Sequence, residues 1–107
     1  MAASAMPLES FQIGLRPGLS LYVSFLQQRG QVISFAVLLV ADTADGLVNV
    51  ARYDTAHGMP HRDVLGRRKG LLTKHWFPNV PFGRVLDLAI TDFKANHESY
   101  VRIFEEN

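Results

Sequence analysis

The chain has 107 residues, of which 48% are hydrophobic and 20% charged, and its formal net charge at pH 7 is +1. These values are typical of one globular domain, exclude a disordered chain as the overall description, and give no general attraction for nucleic acid. Because the chain has no cysteine, disulfides and thiolate ligands are excluded as well.

The N-terminal stretch MAASAMPLES is mostly small and polar. We expect residues 1–10 to form a flexible tail in front of a single domain over residues 11–107. The stretch lacks a basic start and a continuous apolar run, so we do not expect a secretory signal. The longest apolar run, residues 35–41, is too short to cross a bilayer. We therefore expect a cytoplasmic protein that makes no membrane contact.

Alternating or continuous apolar residues predict strands along the first three quarters of the chain. The predicted strands cover residues 11–15, 19–26, 31–41, 47–54 and 71–77. In the fourth of these, the alternation puts Val48 and Val50 on one face of the strand. Arg52 and Asp54 follow on that same face, so we expect them at the margin of the sheet, beside the core.

The last segment predicts an amphipathic helix. Pro81 suits a first helical turn, and apolar residues from Phe82 to Phe104 recur at intervals of three and four. The predicted fold is therefore α+β: an antiparallel β-meander of four or five strands with a C-terminal amphipathic helix packed on one face. Because one helix covers one face only, we expect a homodimer, formed by sheet packing or edge pairing, to cover the rest.

Residues 52–63, RYDTAHGMPHRD, concentrate the polar chemistry of the chain. Glycines and prolines over residues 55–70 predict that most of this stretch is a loop. His57, His61 and Asp63 are residue types that bind zinc. Two histidines four residues apart share a face only on a helix, and Gly58 and Pro60 break a helix, so we expect neither a metal nor another cofactor.

Acid–base chemistry on a phosphodiester is a second interpretation of this loop. His57 and His61 would act as base and acid, and Asp54 would orient one of them. Arg52 and Arg62 would bind the phosphate. A basic patch follows in a stretch with no acidic residue between positions 64 and 86, and it would add to substrate binding through Arg67, Arg68 and Lys69.

A structural interpretation stays open beside these two. In it, Arg52, Asp54 and Asp63 form a salt-bridged and hydrogen-bonded loop that fixes the preceding strand to the segment after it. The histidines would then belong to an ordinary turn. Residue types alone do not decide between a site and a structural clasp.

The stretches VARYDTAHGMPHRDVLGR and DLAITDFKANHESYVRIFEEN resemble a small prokaryotic family of uncharacterised proteins with an RYD-x-AHG-x-PHRD motif. The pattern is also similar to TumE-type toxins of toxin–antitoxin systems, in which an Arg-Tyr-Asp-x-Ala strand end precedes a histidine-rich loop with proline. The matching positions are Arg52, Tyr53, Asp54, Ala56, His57, Pro60 and His61. The resemblance implies a functional loop and, for a toxin, an antitoxin-like protein partner.

Two hypotheses for function follow. In the first, the chain is a toxin-like protein that acts on RNA through its histidine and arginine residues. In the alternative, it is a non-catalytic binding or protein-interaction module, and the loop is structural. Whether the protein is an enzyme therefore stays open at this point.

Overall fold

The computed structural model describes residues 8–107. Within these residues, six antiparallel strands form one sheet in the order of the chain, and a single long helix follows them. The elements are β1 (Leu8–Arg16), β2 (Leu19–Gln28), β3 (Gln31–Thr43), β4 (Gly46–Asp54), β5 (His61–Gly66), β6 (Gly70–Trp76) and α1 (Phe82–Glu106). The predicted antiparallel α+β meander with a C-terminal helix is confirmed, but the sheet has six strands instead of four or five.

The expected N-terminal tail falls mostly outside the described residues. Residues 1–7 are not described, and residues 8–10 of that stretch form the start of β1. Within residues 8–107, no helix combines the length and apolar character that crossing a membrane would require.

The core lies between α1 and the middle strands of the sheet. Val37 of β3 stands opposite Val23 on one side and Tyr53 on the other, so these three side chains share the face that α1 covers. α1 contributes the apolar stripe that the sequence predicts, and these of its residues are buried: Val85, Leu86, Ala89, Phe93, Tyr100 and Phe104. Removing this surface from water is the main source of stability for such a fold.

The prediction that residues 55–70 form a loop is wrong for residues 61–66, which form β5 between β4 and β6. Only Thr55–Pro60 connects the strands, through a single turn of 3₁₀-helix at Ala56–Gly58. β5 was missed because it is short and carries polar residues on both faces, so it lacks the apolar alternation of a half-buried strand. The histidine segment is thus partly inside the sheet.

A β-bulge in β4 changes which residues share a face. Leu39 pairs with Ala51, but the next residue of β3, Val40, pairs with Asn49, so Val50 is an extra residue on β4. A bulge of this kind shifts the inward and outward alternation of a strand by one position. The alternation between the two faces of the sheet is therefore interrupted at Val50, and side chains before it cannot be assigned to a face from those after it.

The expectation that Arg52 and Asp54 share the face of Val48 is wrong because of this shift. Val48 packs against the core, and Tyr53 is buried on the same side, facing α1. Arg52 and Asp54 alternate with Tyr53, so they lie on the face of the sheet away from α1. The homodimer expected from that uncovered face, or from an edge strand, stays a prediction.

Candidate functional site

The polar residues of β4, β5 and β6 divide into two groups on opposite faces of the sheet. We call the group on the face away from α1 the outer cluster; it contains Arg52, Asp54, His61, Asp63 and Lys74. We call the group between the sheet and α1 the inner cluster; it contains Tyr53, Arg62, Asp92 and Tyr100. The division follows from the pairing of Arg52 with Asp63 and of Tyr53 with Arg62 across β4 and β5.

Asp63 is the centre of the outer cluster and is fully buried. Its Oδ2 accepts a hydrogen bond of 2.9 Å from Arg52 Nε, and its Oδ1 lies 2.8 Å from Lys74 Nζ. Burial by itself raises the pKa of Asp63, but the hydrogen bonds and charges of Lys74 and Arg52 outweigh this effect and hold the pKa below its usual value. Both carboxylate oxygens are therefore engaged by cations.

His61 is enclosed beside Asp63, with only 1% of its surface exposed. Its Nδ1 lies 3.1 Å from the carbonyl oxygen of Met59, and its Nε2 lies 3.1 Å from Asp54 Oδ1. The Trp76 ring lies 4.9 Å from the His61 ring, measured between centroids. Each ring nitrogen thus faces an oxygen of the protein, and neither is open to a substrate.

His57 differs from His61 in its exposure and backbone. It lies on the 3₁₀ turn with its side chain exposed, and its φ of +68° falls in the left-handed region that non-glycine residues rarely adopt. Asp54 fixes the start of this turn by accepting a hydrogen bond of 2.9 Å from the Ala56 N–H. The two histidine rings lie 6.5 Å apart between centroids, so the sequence neighbours are close in space, but only His57 faces solvent.

Asp54, His61 and Asp63 place one ligand atom each within 4.8 Å of one another. One imidazole and two carboxylates are a plausible ligand set for a divalent cation. However, Arg52 and Lys74 already bind Asp63 and put two positive charges beside the position of such an ion. This competition favours an internal ion-pair cluster over a metal centre.

The basic patch meets the C-terminal end of α1. The Arg67 and Lys69 N–H groups donate hydrogen bonds of 2.9 Å to the backbone oxygens of Phe104 and Asn107, respectively. Arg67 Nη1 also lies 3.4 Å from Glu105 Oε2. The last carbonyls of a helix lack partners and carry partial negative charge, so basic residues at this hairpin tip stabilise the helix end.

Asp92 of α1 organises the inner cluster. Its Oδ2 accepts hydrogen bonds from the hydroxyls of Tyr53, at 2.6 Å, and Tyr100, at 2.5 Å. Its Oδ1 accepts a bond of 2.7 Å from Asn96 Nδ2. Burial, helped by the bond to Asp92, raises the pKa of Tyr100 to about 12, and the same two causes raise the pKa of Tyr53. Both hydroxyls therefore stay protonated as donors at neutral pH.

Arg62 is the half-buried cation of the inner cluster. Its Nη1 donates a hydrogen bond of 3.2 Å to the Tyr100 hydroxyl. Its Nε is buried and has no hydrogen-bond partner among residues 8–107. No carboxylate of those residues lies within ion-pair distance of Arg62, in contrast to Arg52. The guanidinium is thus partly desolvated without a counter-charge in direct contact.

A groove lies above Arg62, between α1 and β6, while the main contacts of α1 with the sheet are to β3, β4 and β5. One lobe has a volume of about 490 Å³ and apolar walls at Leu72 and Ile103. The other has a volume of about 480 Å³ and apolar walls at Phe77 and Leu88. Three residues line both lobes: Arg62, Asp92 and Asn96.

In the sequence, Arg62 groups with the histidines, because a predicted loop does not determine which face of the sheet a side chain occupies. Asp92 and Tyr100 were missed as site residues because they lie on the helix, remote in sequence from Tyr53 and Arg62. The only signal for them was a polar side chain at the border of the apolar stripe. A polar residue at this position indicates a partly buried polar group, but it does not identify the hydrogen-bond partner of that group.

The chain belongs to the family described as Domain of unknown function (DUF7718), whose family model matches residues 6–107. The expectation of an uncharacterised family is confirmed at this level. Comparisons with curated proteins and with solved structures gave no match. The similarity to TumE-type toxins, the RNA substrate and the antitoxin-like partner stay predictions.

Proposed function

We propose that this protein is a non-catalytic binding module whose ligand occupies the groove between α1 and β6 and presents an acidic group to Arg62. The observation that carries the proposal is the half-buried guanidinium of Arg62, which lines both lobes and contacts no carboxylate among residues 8–107. Removing a charge from water without a counter-charge is unfavourable. An acidic group on a ligand would supply that counter-charge.

The lining of the groove indicates the rest of the ligand. A guanidinium presents parallel donors that match the two oxygens of a carboxylate. Leu72, Phe77 and Ile103 offer apolar contact, and Thr73 and Asn96 offer polar groups. Asp92 also lines both lobes, and its carboxylate oxygens already accept hydrogen bonds from Tyr53, Tyr100 and Asn96. Volumes of this size fall in the range of roughly 300–1,000 Å³ that is usual for small-ligand sites. We therefore propose a ligand with a carboxylate and a compact apolar body.

RNA cleavage by the histidine segment is less well supported by the geometry. A general acid and a general base must both reach the substrate, whereas His61 is enclosed between Asp54 and the Met59 carbonyl. Arg52 and Arg62 lie on opposite faces of the sheet, so they are poorly placed to bind one phosphate together. The outer cluster is better suited to fixing β4, β5 and β6 to one another.

Benzoate, with benzyl alcohol as the neutral control of the same shape, tests the proposed site. Titrations followed by backbone amide chemical shifts should show saturable binding of benzoate, with shifts at the residues that line the groove. Arg62→Gln should weaken benzoate binding by about tenfold or more. Arg84→Gln, an exposed arginine elsewhere on α1, should leave the affinity unchanged. Equal binding of the alcohol, or of benzoate by Arg62→Gln, would contradict the proposal.

An RNA assay with EDTA present tests the competing hypothesis. The binding hypothesis expects the purified protein to leave RNA intact. Cleavage that disappears in both His57→Ala and His61→Ala, while both variants stay folded, would replace the proposal by catalysis. Cleavage that persists in both variants would be attributed to a contaminant.

A further inference from the structure

We infer that the ligand of this groove is an extended acidic peptide that joins the sheet as an additional strand beside β6. The inference rests on the proposed function, because it names the class of ligand for the same groove. In the proposed function, only side chains contact the ligand. In this inference, the backbone of β6 also contacts it.

β6 is an edge strand of the sheet, paired with β5 on one side only. The outward-facing N–H and C=O groups of an edge strand can pair with a further strand. Residues of β6 and α1 together line the two lobes, so the groove adjoins this edge of the sheet. Recognition by strand addition uses this combination of a free edge and an adjoining groove.

The two lobes of the groove follow β6 with the spacing of a strand. Thr73 lines one lobe and His75 lines the other. They pair with Val64 and Arg62, respectively, so both face α1. Side chains on one face of a neighbouring strand recur about every 6.6–6.8 Å. Residues i and i+2 of an added strand would therefore enter one lobe each, with Arg62 between them.

The charge of this edge selects an acidic occupant. No acidic residue occurs between positions 64 and 86, and Lys74 lies on β6 with its side chain about a quarter exposed, at 27%. A second copy of β6, paired antiparallel, would bring like charges around Lys74 together, which is unfavourable for cross-strand neighbours. An acidic peptide would instead meet Arg62 on the α1 side, where no carboxylate of residues 8–107 lies within ion-pair distance, whereas Lys74 on the other side is already paired with Asp63. The exposed Trp76 ring adds an apolar contact at the end of the strand.

Three capped hexapeptides test strand addition on the full-length chain. The first alternates glutamate and valine, the second alternates lysine and valine, and the third is the first peptide N-methylated at alternate residues. The glutamate peptide should bind about tenfold tighter than the lysine peptide. N-methylation should also weaken binding by about tenfold, because it removes donors to the strand edge without changing the charge. Amide shifts should concentrate on residues 70–76.

Several results would overturn the inference. Equal affinity of the N-methylated peptide would show that the ligand does not pair with β6. Failure of all three peptides while benzoate still binds would reject the peptide and leave the proposed function intact, whereas failure of benzoate as well would reject both. A dimer formed through two β6 edges, detected by light scattering and by cross-links between edge residues, would make a second copy the occupant.

Discussion

Gly66 of β5 and Asn107 at the end of α1 are in direct contact, and a Cβ placed on Gly66 would lie 2.8 Å from the backbone oxygen of Asn107. The absence of a side chain at Gly66 lets the hairpin tip approach the helix end. Arg68 and Lys69 then donate their N–H groups to that same oxygen, at 3.2 and 2.9 Å. One glycine therefore makes possible the contact between the β5–β6 hairpin and the helix.

Gly66→Ala should destabilise the fold by about 1–3 kcal/mol, because backbone atoms of Asn107 must move to accommodate the methyl group. Urea unfolding followed by circular dichroism measures this change. The Arg68 and Lys69 amides at the hairpin tip, which donate to the backbone oxygen of Asn107, should also lose protection from hydrogen exchange.

Gly14→Ala is the matched control for this prediction. Gly14 lies within a strand, and a Cβ there would meet no atom within 4 Å. The variant should be as stable as the parent or slightly more stable, since glycine is costly within a strand. Equal destabilisation by both variants would mean that the contact with Asn107 is not the cause.

His61→Ala should destabilise the protein by about 2–4 kcal/mol, because it leaves a cavity and removes a buried polar partner from Asp54. His57→Ala, on the neighbouring exposed turn, should change stability by less than about 0.5 kcal/mol. Thermal and urea unfolding of the two variants provide the comparison. A normal stability for His61→Ala would argue that this residue is kept for chemistry and not for structure.

Asp63 should contribute to loss of stability in acid. Its pKa is lower in the folded state than in the unfolded chain, where it is about 3.9, so its contribution is complete above that value. The contribution is lost as the pH falls through the folded-state pKa. Unfolding free energies measured from pH 7 to pH 2 should therefore fall most steeply below about pH 4.

Asp63→Asn isolates this effect. The variant leaves Arg52 and Lys74 beside a neutral group, so it should lose about 3–5 kcal/mol at pH 7 and show a shallower dependence on pH in acid. Glu98→Gln removes the carboxylate of an exposed ion pair with Arg16 and serves as the control. It should leave stability at pH 7 almost unchanged. The same acid dependence in Asp63→Asn and the parent would contradict the prediction.

Tyr100 should link stability to alkaline pH. Its pKa is raised to about 12, so the folded state holds this proton more tightly than the unfolded chain, where the pKa is about 10. The contribution is complete below pH 10 and is lost as the pH rises through 12. Tyr100→Phe should cost about 1 kcal/mol at pH 7 through the lost bond to Asp92, and it should weaken the alkaline dependence.

Tyrosinate absorbance near 295 nm checks the assignment directly. The parent should show an ionisation step near pH 12 that is absent from Tyr100→Phe. If the variant keeps that step, the step belongs to another tyrosine and the pH dependence has a different origin.

The helix and most strands were predictable because their burial is regular along the chain. The apolar stripe of α1 and the alternation in β2 both reflect one continuous buried face. Val50 illustrates the limit, because a bulge depends on the register with β3 and leaves no mark in β4 alone. β5 illustrates a second limit of prediction from sequence. His61 and Asp63 are buried among charged partners, but polar residues of these types are usually found in loops.

The outer cluster was predictable in part. The structural interpretation expected Arg52 to contact Asp54 and Asp63, and the structure contains both ion pairs. Lys74 was not assigned to that cluster, because its position depends on the pairing of β5 with β6. The inner cluster depends on how α1 lies across the sheet, and no local pattern contains that information.

Arg52 and Tyr53 are adjacent in sequence, but one belongs to the outer cluster and the other to the inner cluster. Their side chains are separated by the sheet itself, and they share no side-chain partner in the part of the chain that the structure describes. Substitutions at these two positions should therefore have nearly additive effects on stability. Substitutions in the groove should therefore leave the ion pairs of the outer cluster intact, so the two faces of the sheet can be varied separately by mutagenesis.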